Sequence, residues 1–446
     1  MIKKKKQRKP RQASLPILRP NAAGIDIGAG EIFVALPPGR SPDGHDVRSF
    51  ETFTQDLYAL AKWLKENNID SVAMESTGVY WIPLFQILEA EGFEVFLVNA
   101  RHVKNVSGRK SDVQDCQWLQ YLHSVGLLTA SYRPSASVCV IRTYLRHRIS
   151  LVQMRAKHIQ HMQKAYEQMN LKLHHVISDI TGVSGLDITD AILSGERDPR
   201  VLASLRNRRI KASPKVIEKS LVGDYLPEHL FTLKQSLEAF RYYQHLIAEV
   251  DQQIQRALEN FESSIDTNES AAEQSHHLPD SLEDEFTRIF GVNLARIPGV
   301  GLATVQTILA EVGPDFTKFR SAAAFASWLC VCPNNNVSGG KVLSRVTRKT
   351  KSRAAVALRM AANSMHSDQS WLGNFFRRLR ARLGPPKAIT ATAHRIARLI
   401  HHLVTTKQEY DESCYAVHEL KAQKRKLKRL RANAKQLGYD LTPQFT

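Results

Sequence analysis

No stretch of the 446 residues approaches the roughly 20 apolar positions that a membrane-spanning helix needs. The longest apolar runs, such as Val95–Val98 and Ala354–Leu358, are far shorter. The basic N-terminus MIKKKKQRKPRQ is not followed by an apolar segment and does not read as a secretory leader. Cysteine is scarce: there are five, none at metal-finger spacing. That argues against a disulfide scaffold and fits a reducing cytoplasm, the expected location, with no membrane partner. Acidic residues are also short, 43 against 62 Lys+Arg, leaving a formal net charge of +19. Such an excess points to a polyanionic partner, with nucleic acid the default. What is present is ordinary for a folded chain. An apolar fraction of 43% permits a sizeable core, and the length suggests two to four folded units.

The cations are clustered. Seven fall among the first twelve residues and seven more in 421–431, neither set containing an acid. Blocks of like charge repel and stay solvated, so both ends are expected to be mobile arms with salt-sensitive phosphate affinity. A third set, Lys341, Arg345, Arg348, Lys349, Lys351, Arg353 and Arg359, lies inside apparently folded chain. A folded domain tolerates that one-signed density where a partner offsets it.

Residues 21–130 alternate strand and helix signals. AGIDIGAGEIFVALPPG reads as a hairpin, with strands Gly24–Ile27 and Ile32–Leu36. A helix follows from about Thr54 to Asn67, then a strand DSVAME, a helix YWIPLFQILEAEG and a strand FEVFLVNA. SDVQDCQWLQYLHSVGLL reads as a helix with Val113, Cys116, Leu119, Tyr121 and Leu122 apolar. This is the pattern of an α/β domain with a mixed sheet. From Ile141 to Leu171, and again from Leu233 to Leu258, apolar residues recur every three or four positions. These are long amphipathic helices, paired as a coiled coil within or between chains or packed as a bundle core. Polar, acid-rich residues 262–285 read as a linker. The last block, from about Phe290, has a Pro-Gly-Val-Gly turn between helices, a loop CPNNNVSGGKVLSRVTRKTKSR, and helices to about Lys407.

Four acids stand out by position. Asp26 lies mid-strand between Ile25 and Ile27, and Glu75 ends the apolar strand SVAM. Asp112 and Asp115 lie three apart on one helix, hence on one face. A carboxylate in a buried strand is costly unless paired or metal-bound. Four together call for divalent cations, and hard oxygen ligands suit Mg²⁺. Two such ions about 4 Å apart stabilise an in-line phosphoryl displacement. A hairpin acid, a strand-end acid and a helix pair are the placements used in ribonuclease H-like nuclease folds.

With these residues go GIDIG, MESTG followed by K-S-D-x-x-D, and IPGVGLATVQTILAEVG…SGGK. Over residues 21–405 the chain resembles the DEDD transposases of bacterial insertion sequences, the one-hundred-and-ten insertion-sequence family with its relatives the Piv DNA invertases. The resemblance implies a RuvC-like catalytic domain (21–135), a helical coiled-coil domain (136–262) and a C-terminal transposase domain (289–410), while composition marks a basic arm (1–20), a polar linker (263–288) and a basic tail (411–446). The family's acidic set falls on Asp26, Glu75, Asp112 and Asp115, as catalytic residues and as ligands of Mg²⁺, two per site.

The resemblance further implies a serine nucleophile in the C-terminal domain, matching Ser338 in VSGGK. Cys330 and Cys332 depart from the family pattern just ahead of it, yet the Pro333-to-Ser338 spacing is kept. A Ser-Gly-Gly turn exposes its hydroxyl, and Lys341 and Arg345 could offset charge on a pentavalent phosphorus. The expected nucleic-acid contacts are Lys110, Gly299, Gly301, Lys341, Arg345, Arg348, Lys349, Lys351 and Arg353. Gly299 and Gly301 serve equally well as a core-packing turn or as a phosphate-binding helix-hairpin-helix. The implied partners are double-stranded donor and target DNA, a structured non-coding guide RNA and further copies of the chain, as dimer or tetramer. The two sites are distant in sequence, so serine and acids from different subunits are one possible arrangement. Trp81, Trp118 and Trp328 read as core. His174-His175, His276-His277 and His401-His402 lack metal-ligand spacing and read as solvated.

Overall fold

The computed structural model describes residues 15–76, 78–99, 111–261, 281–440 and 442. They divide into two compact units, 1–133 and 134–446.

The first unit is built on a five-stranded sheet. Strands β1 (Ala22–Ile27), β2 (Glu31–Ala35) and β3 (Val47–Glu51) are antiparallel neighbours, and β4 (Ser71–Glu75) and β5 (Glu94–Val98) run parallel to β1 on its other side. The order β3-β2-β1-β4-β5 is compatible with the expected ribonuclease H-like domain. The pleat sorts side chains by parity. Ala23, Ile25, Ile27, Val72 and Met74 enter one core with α1 (Thr54–Glu66) and α2 (Trp81–Ala90), whose Leu57, Leu60, Leu64, Leu84 and Leu88 cover that face. Gly24, Asp26, Ala73 and Glu75 therefore belong to the opposite face. There Ala73 and Val98 meet Leu119 and Leu122 of α3 (Asp112–Ser124). Strand β3 was not expected. Its Arg48, Ser49 and Glu51 are exposed, as suits an edge strand, so it lacks the apolar alternation that marks strands in sequence.

The second unit is helical, apart from one hairpin. Its frame is α4 (Ala136–Gln168), followed by short helices α5 (Leu173–Val176), α6 (Val183–Leu193), α7 (Pro199–Ser204) and α8 (Pro214–Ser220), then α9 (Pro227–Glu259). Helices α4 and α9 pair within the chain and run antiparallel: Arg148 bonds Asp251 while His158, ten residues on, stacks on Tyr243. The small helices close one end of the pair around Met162, Tyr166, Met169, Leu173, Ile188 and Leu237.

Residues 281–288, expected as linker, instead begin α10 (Leu282–Phe290). Ser281 caps it, three acids fill the first turn where the helix dipole favours them, and Phe286, Ile289 and Phe290 are buried. Then come α11 (Leu302–Glu311), α12 (Ala322–Trp328), β6 (Asn336–Ser338), β7 (Lys341–Ser344), α13 (Arg353–Ser364), α14 (Trp371–Leu383) and α15 (Pro385–Thr406). The basic C-terminal segment is also helical, α16 (Ala416–Gln436), rather than an unstructured arm. Its Ala, Leu, Lys, Arg and Gln are strong helix formers, and Lys424, Arg425, Lys428, Arg429 and Arg431 are exposed.

Candidate active site

Asp26 and Glu75 share the sheet face that carries α3. Ile25 of β1 is paired with Met74 of β4, so the next step along the parallel strands sets Asp26 beside Glu75. The helix reaches them because residue 24 is glycine. A Cβ there would stand 2.2 Å from the Gln120 backbone nitrogen and 2.3 Å from the Cys116 carbonyl oxygen, so α3 rests directly on β1. Gln120 Nε2 fixes this seating by donating to the Ala22 carbonyl oxygen at 3.1 Å. Two residues farther along β1, Asp26 lies toward the start of α3, where Asp112 and Asp115 occupy the first turn behind the cap Ser111. The unpaired N–H groups of that turn favour anions.

Asp26 feels the charge of all three other acids, although no three of the four bring their carboxylate oxygens within 4.8 Å of one another. Partial burial, and then the charges of Asp112, Asp115 and Glu75, push the Asp26 carboxyl up to about 6. Cys116, next to Asp26, is pushed up to about 12 by burial and by Asp26, so it stays a thiol; its Sγ donates to the Val113 carbonyl oxygen at 3.1 Å. A carboxylate whose proton affinity is raised by burial and acidic neighbours is one that a divalent cation would relieve, and an all-oxygen donor set fits Mg²⁺. Sequence pattern singled out the acids; it missed Gly24, whose role depends on which helix lies against it.

Ser338 lies in the second unit, in a hairpin where the sequence suggested a loop. Gly339 and Gly340 have φ of +54° and +75°, the left-handed pair that a two-residue type I′ turn requires. Ser338 and Lys341 are directly opposite in register, so their side chains leave the same face. Ser338, Lys341, Arg345, Lys349, Lys351 and Arg353 are exposed, and among the described residues no carboxylate comes within 4.0 Å of any of these cations. Arg348 is exposed too, but its guanidinium donates to the Ser327 carbonyl oxygen at 2.6 Å, tying the loop to α12. Arg359 likewise donates to the Cys330 carbonyl oxygen at 3.3 Å.

The Gly299 turn is first a packing device. Its φ is +79°, and a Cβ would stand 2.7 Å from the Ala361 carbonyl oxygen of α13. Gly301 is exposed with open space around it, at the N-terminus of α11. What precedes the turn is a single 3₁₀ turn, Leu294–Arg296, rather than the expected α-helix. Lys110 and His276-His277 lie outside the described residues. Two other histidines are not solvated as expected: His401 is buried against Phe316 and Phe325, and the side chain of His174 is 12% exposed.

Residues 23–171, which carry all four acids, match a family model described as transposase, of the DEDD type of IS110 elements. Residues 292–377, which carry Ser338, match the Transposase IS116/IS110/IS902 family. The chain belongs to the IS110-family DEDD transposases. A putative transposase, y4pF/y4sB of Sinorhizobium fredii, is similar at 28% identity over 130 residues, 27% of this chain. That match spans about a third, 32%, of the relative's length. For a transposase of this family, the two matched segments fall on the carboxylate face of the sheet and on the serine hairpin.

Proposed function

We propose that this transposase is a site-specific DNA recombinase that mobilises an insertion sequence by cleaving and rejoining strands through a 5′-phosphoserine intermediate. The observation that carries the reading is that Asp26, partly buried, also feels Asp112, Asp115 and Glu75, and that these together raise its proton affinity. Asp26, Glu75, Asp112 and Asp115 would hold two Mg²⁺ ions. When bound, these supply Lewis-acid stabilisation of charge on the phosphoryl oxygens. Ser338 is the nucleophile: its Oγ bonds to phosphorus as the bond to the 3′ oxygen breaks, and the proton lost by the hydroxyl is matched by one gained at the freed 3′ oxygen. The bond energy is thereby kept for rejoining. Lys341, on the same face of the hairpin, is placed to offset phosphate charge, and Arg345, Lys349, Lys351 and Arg353 bind the backbone on either side. The Gly301 end of α11 offers backbone N–H groups to a further phosphate.

The +19 charge suits two nucleic acids at once. In this reading a structured non-coding RNA encoded by the element pairs with donor and target DNA, the protein reads backbone and shape, and the chain works as a homodimer or tetramer. The test is cleavage of labelled flanking DNA with that RNA, with and without Mg²⁺. Asp26→Asn and omission of Mg²⁺ should each abolish cleavage, and Ser338→Ala should abolish it with the acids intact. Cleavage by Ser338→Ala at the parent's rate would make the chain a water-using nuclease and remove the serine from the mechanism.

A further inference from the structure

Far from the four acids in sequence, and in the other unit, three donor groups converge at the end of α4. Glu167 is in the last turn of that helix. The chain then reverses through Asn170, whose φ of +56° is left-handed, and the reversal is pinned on both sides. Met169, Leu171 and Leu173 are fully buried, the Leu171 N–H donates to the Tyr166 carbonyl oxygen, and the Lys172 N–H donates to that of Ser220. The next turn, α5, therefore returns His174 and His175 over Glu167. His175 Nε2 lies 2.7 Å and His174 Nε2 3.0 Å from the same carboxylate oxygen, Oε1. The three donor atoms all lie within 4.8 Å of one another, the group of this kind found among the described residues.

We propose that Glu167, His174 and His175 form a second metal site, for a borderline transition ion such as Zn²⁺ rather than for Mg²⁺. The donor set is two imidazole nitrogens and one carboxylate oxygen, which suits Zn²⁺ and its neighbours, whereas Mg²⁺ wants oxygen alone. The other carboxylate oxygen, Oε2, is taken by the Lys172 ammonium. Glu167 is thus oriented to bind through Oε1 alone, the way an outer-shell partner fixes a ligating carboxylate. Helix α4 ends here, and the partial negative charge of its last carbonyls favours a cation. His174 is held by burial against Tyr166, and its Nδ1 is buried without a partner among the described residues, so it acts through Nε2. His175 and Glu167 are more open, with side chains 61% and 41% exposed, so solvent completes the coordination. The ion joins the end of α4 to α5 and stiffens the cap of small helices on the α4–α9 pair.

Sequence spacing did not show this site. Adjacent histidines are not a metal motif by themselves, and the third ligand lies seven residues away across a chain reversal.

The experiment uses Co²⁺ as a spectroscopic substitute for Zn²⁺ on the full-length chain, with excess Mg²⁺ present to occupy all-oxygen sites. The expected result is a visible d–d spectrum saturating at one ion per chain, displaced by Zn²⁺. It should persist in Asp26→Asn and be lost in Glu167→Gln and in His175→Ala. Each loss should weaken binding by about 100-fold or more, beyond the usual cost of an outer-shell partner. His175 is an exposed side chain, so His175→Ala folds, which circular dichroism checks. Absence of the spectrum in the parent chain, its survival in both ligand variants, or its loss only in Asp26→Asn would each overturn the proposal.

Discussion

Burial, and then three neighbouring carboxylates, raise the proton affinity of Asp26, so its ionised form works against the fold that holds it. Its folded value of about 6 exceeds the ordinary 3.8, so the folded chain binds more protons than the unfolded chain between those two values. Without metal, the Asp26 contribution is therefore most favourable below about pH 4 and is lost as pH rises through 6. Discounted for solvent screening of a half-exposed carboxyl, the cost at pH 7.5 is on the order of 1–2 kcal/mol. Asp26→Asn should then stabilise the metal-free chain at pH 7.5 by that amount and leave it unchanged at pH 4, while abolishing cleavage. Urea denaturation at the two pH values checks this, and equal effects at both would show that the carboxylate charge is not the cause. His123 works in the opposite direction. Burial, and then Arg19, holds it down to about 4, with its Nε2 2.7 Å from Ser71 Oγ. Its contribution is complete above pH 6.5 and is lost as pH falls toward 4, because the unfolded chain takes up the proton first. His123→Gln should therefore flatten the acid limb of the stability profile.

At the scale of elements, the site depends on how closely α3 lies on β1. Gly24→Val places a side chain into the α3 backbone, and overpacking of this kind costs about 1–3 kcal/mol or more. The variant should show a lowered Tm and should lose metal-dependent cleavage with all four acids in place; full activity would mean that the α3 seating is not what assembles them. The carboxylates were legible in sequence because Asp26 and Glu75 interrupt or end apolar strands, where an acid needs a reason. Helix α3 and the long helices were legible from their 3.6-residue period. That α4 and α9 pair with each other was not, since an amphipathic face is the same whether its partner is in the same chain or another. Edge strand β3 and helix α10 were hidden by their polar residues. The left-handed glycines at 339 and 340 turn the Ser338 segment into a hairpin; the Ser-Gly-Gly sequence announced the turn but not the strand register that sets Lys341 opposite the serine.

Across the whole molecule, the C-terminal basic residues form a helix where their like charges implied an arm, while the N-terminal cations lie outside the described residues. Helix α16 exposes Lys424, Arg425, Lys428, Arg429 and Arg431 along a regular surface. Removing residues 416–446 should weaken nucleic-acid binding without changing the cleavage site. The slope of log affinity against log salt should fall by about 0.9 for each duplex phosphate that the helix no longer neutralises. Salt-titrated binding measures this, and an unchanged slope would exclude the helix from the interface. The central claim joins two sequence-distant groups, the acids proposed to bind metal and the serine proposed as nucleophile, in one reaction. Its most direct test is to trap the reaction of the full chain with Mg²⁺, guide RNA and flanking DNA under denaturing conditions and to map the protein–DNA link by mass spectrometry. The account predicts a 5′-phosphorylated DNA end bonded to Ser338 and a free 3′ hydroxyl on the other product, with no adduct in Asp26→Asn. Cleaved DNA bearing no protein, formed equally well by Ser338→Ala, would contradict it.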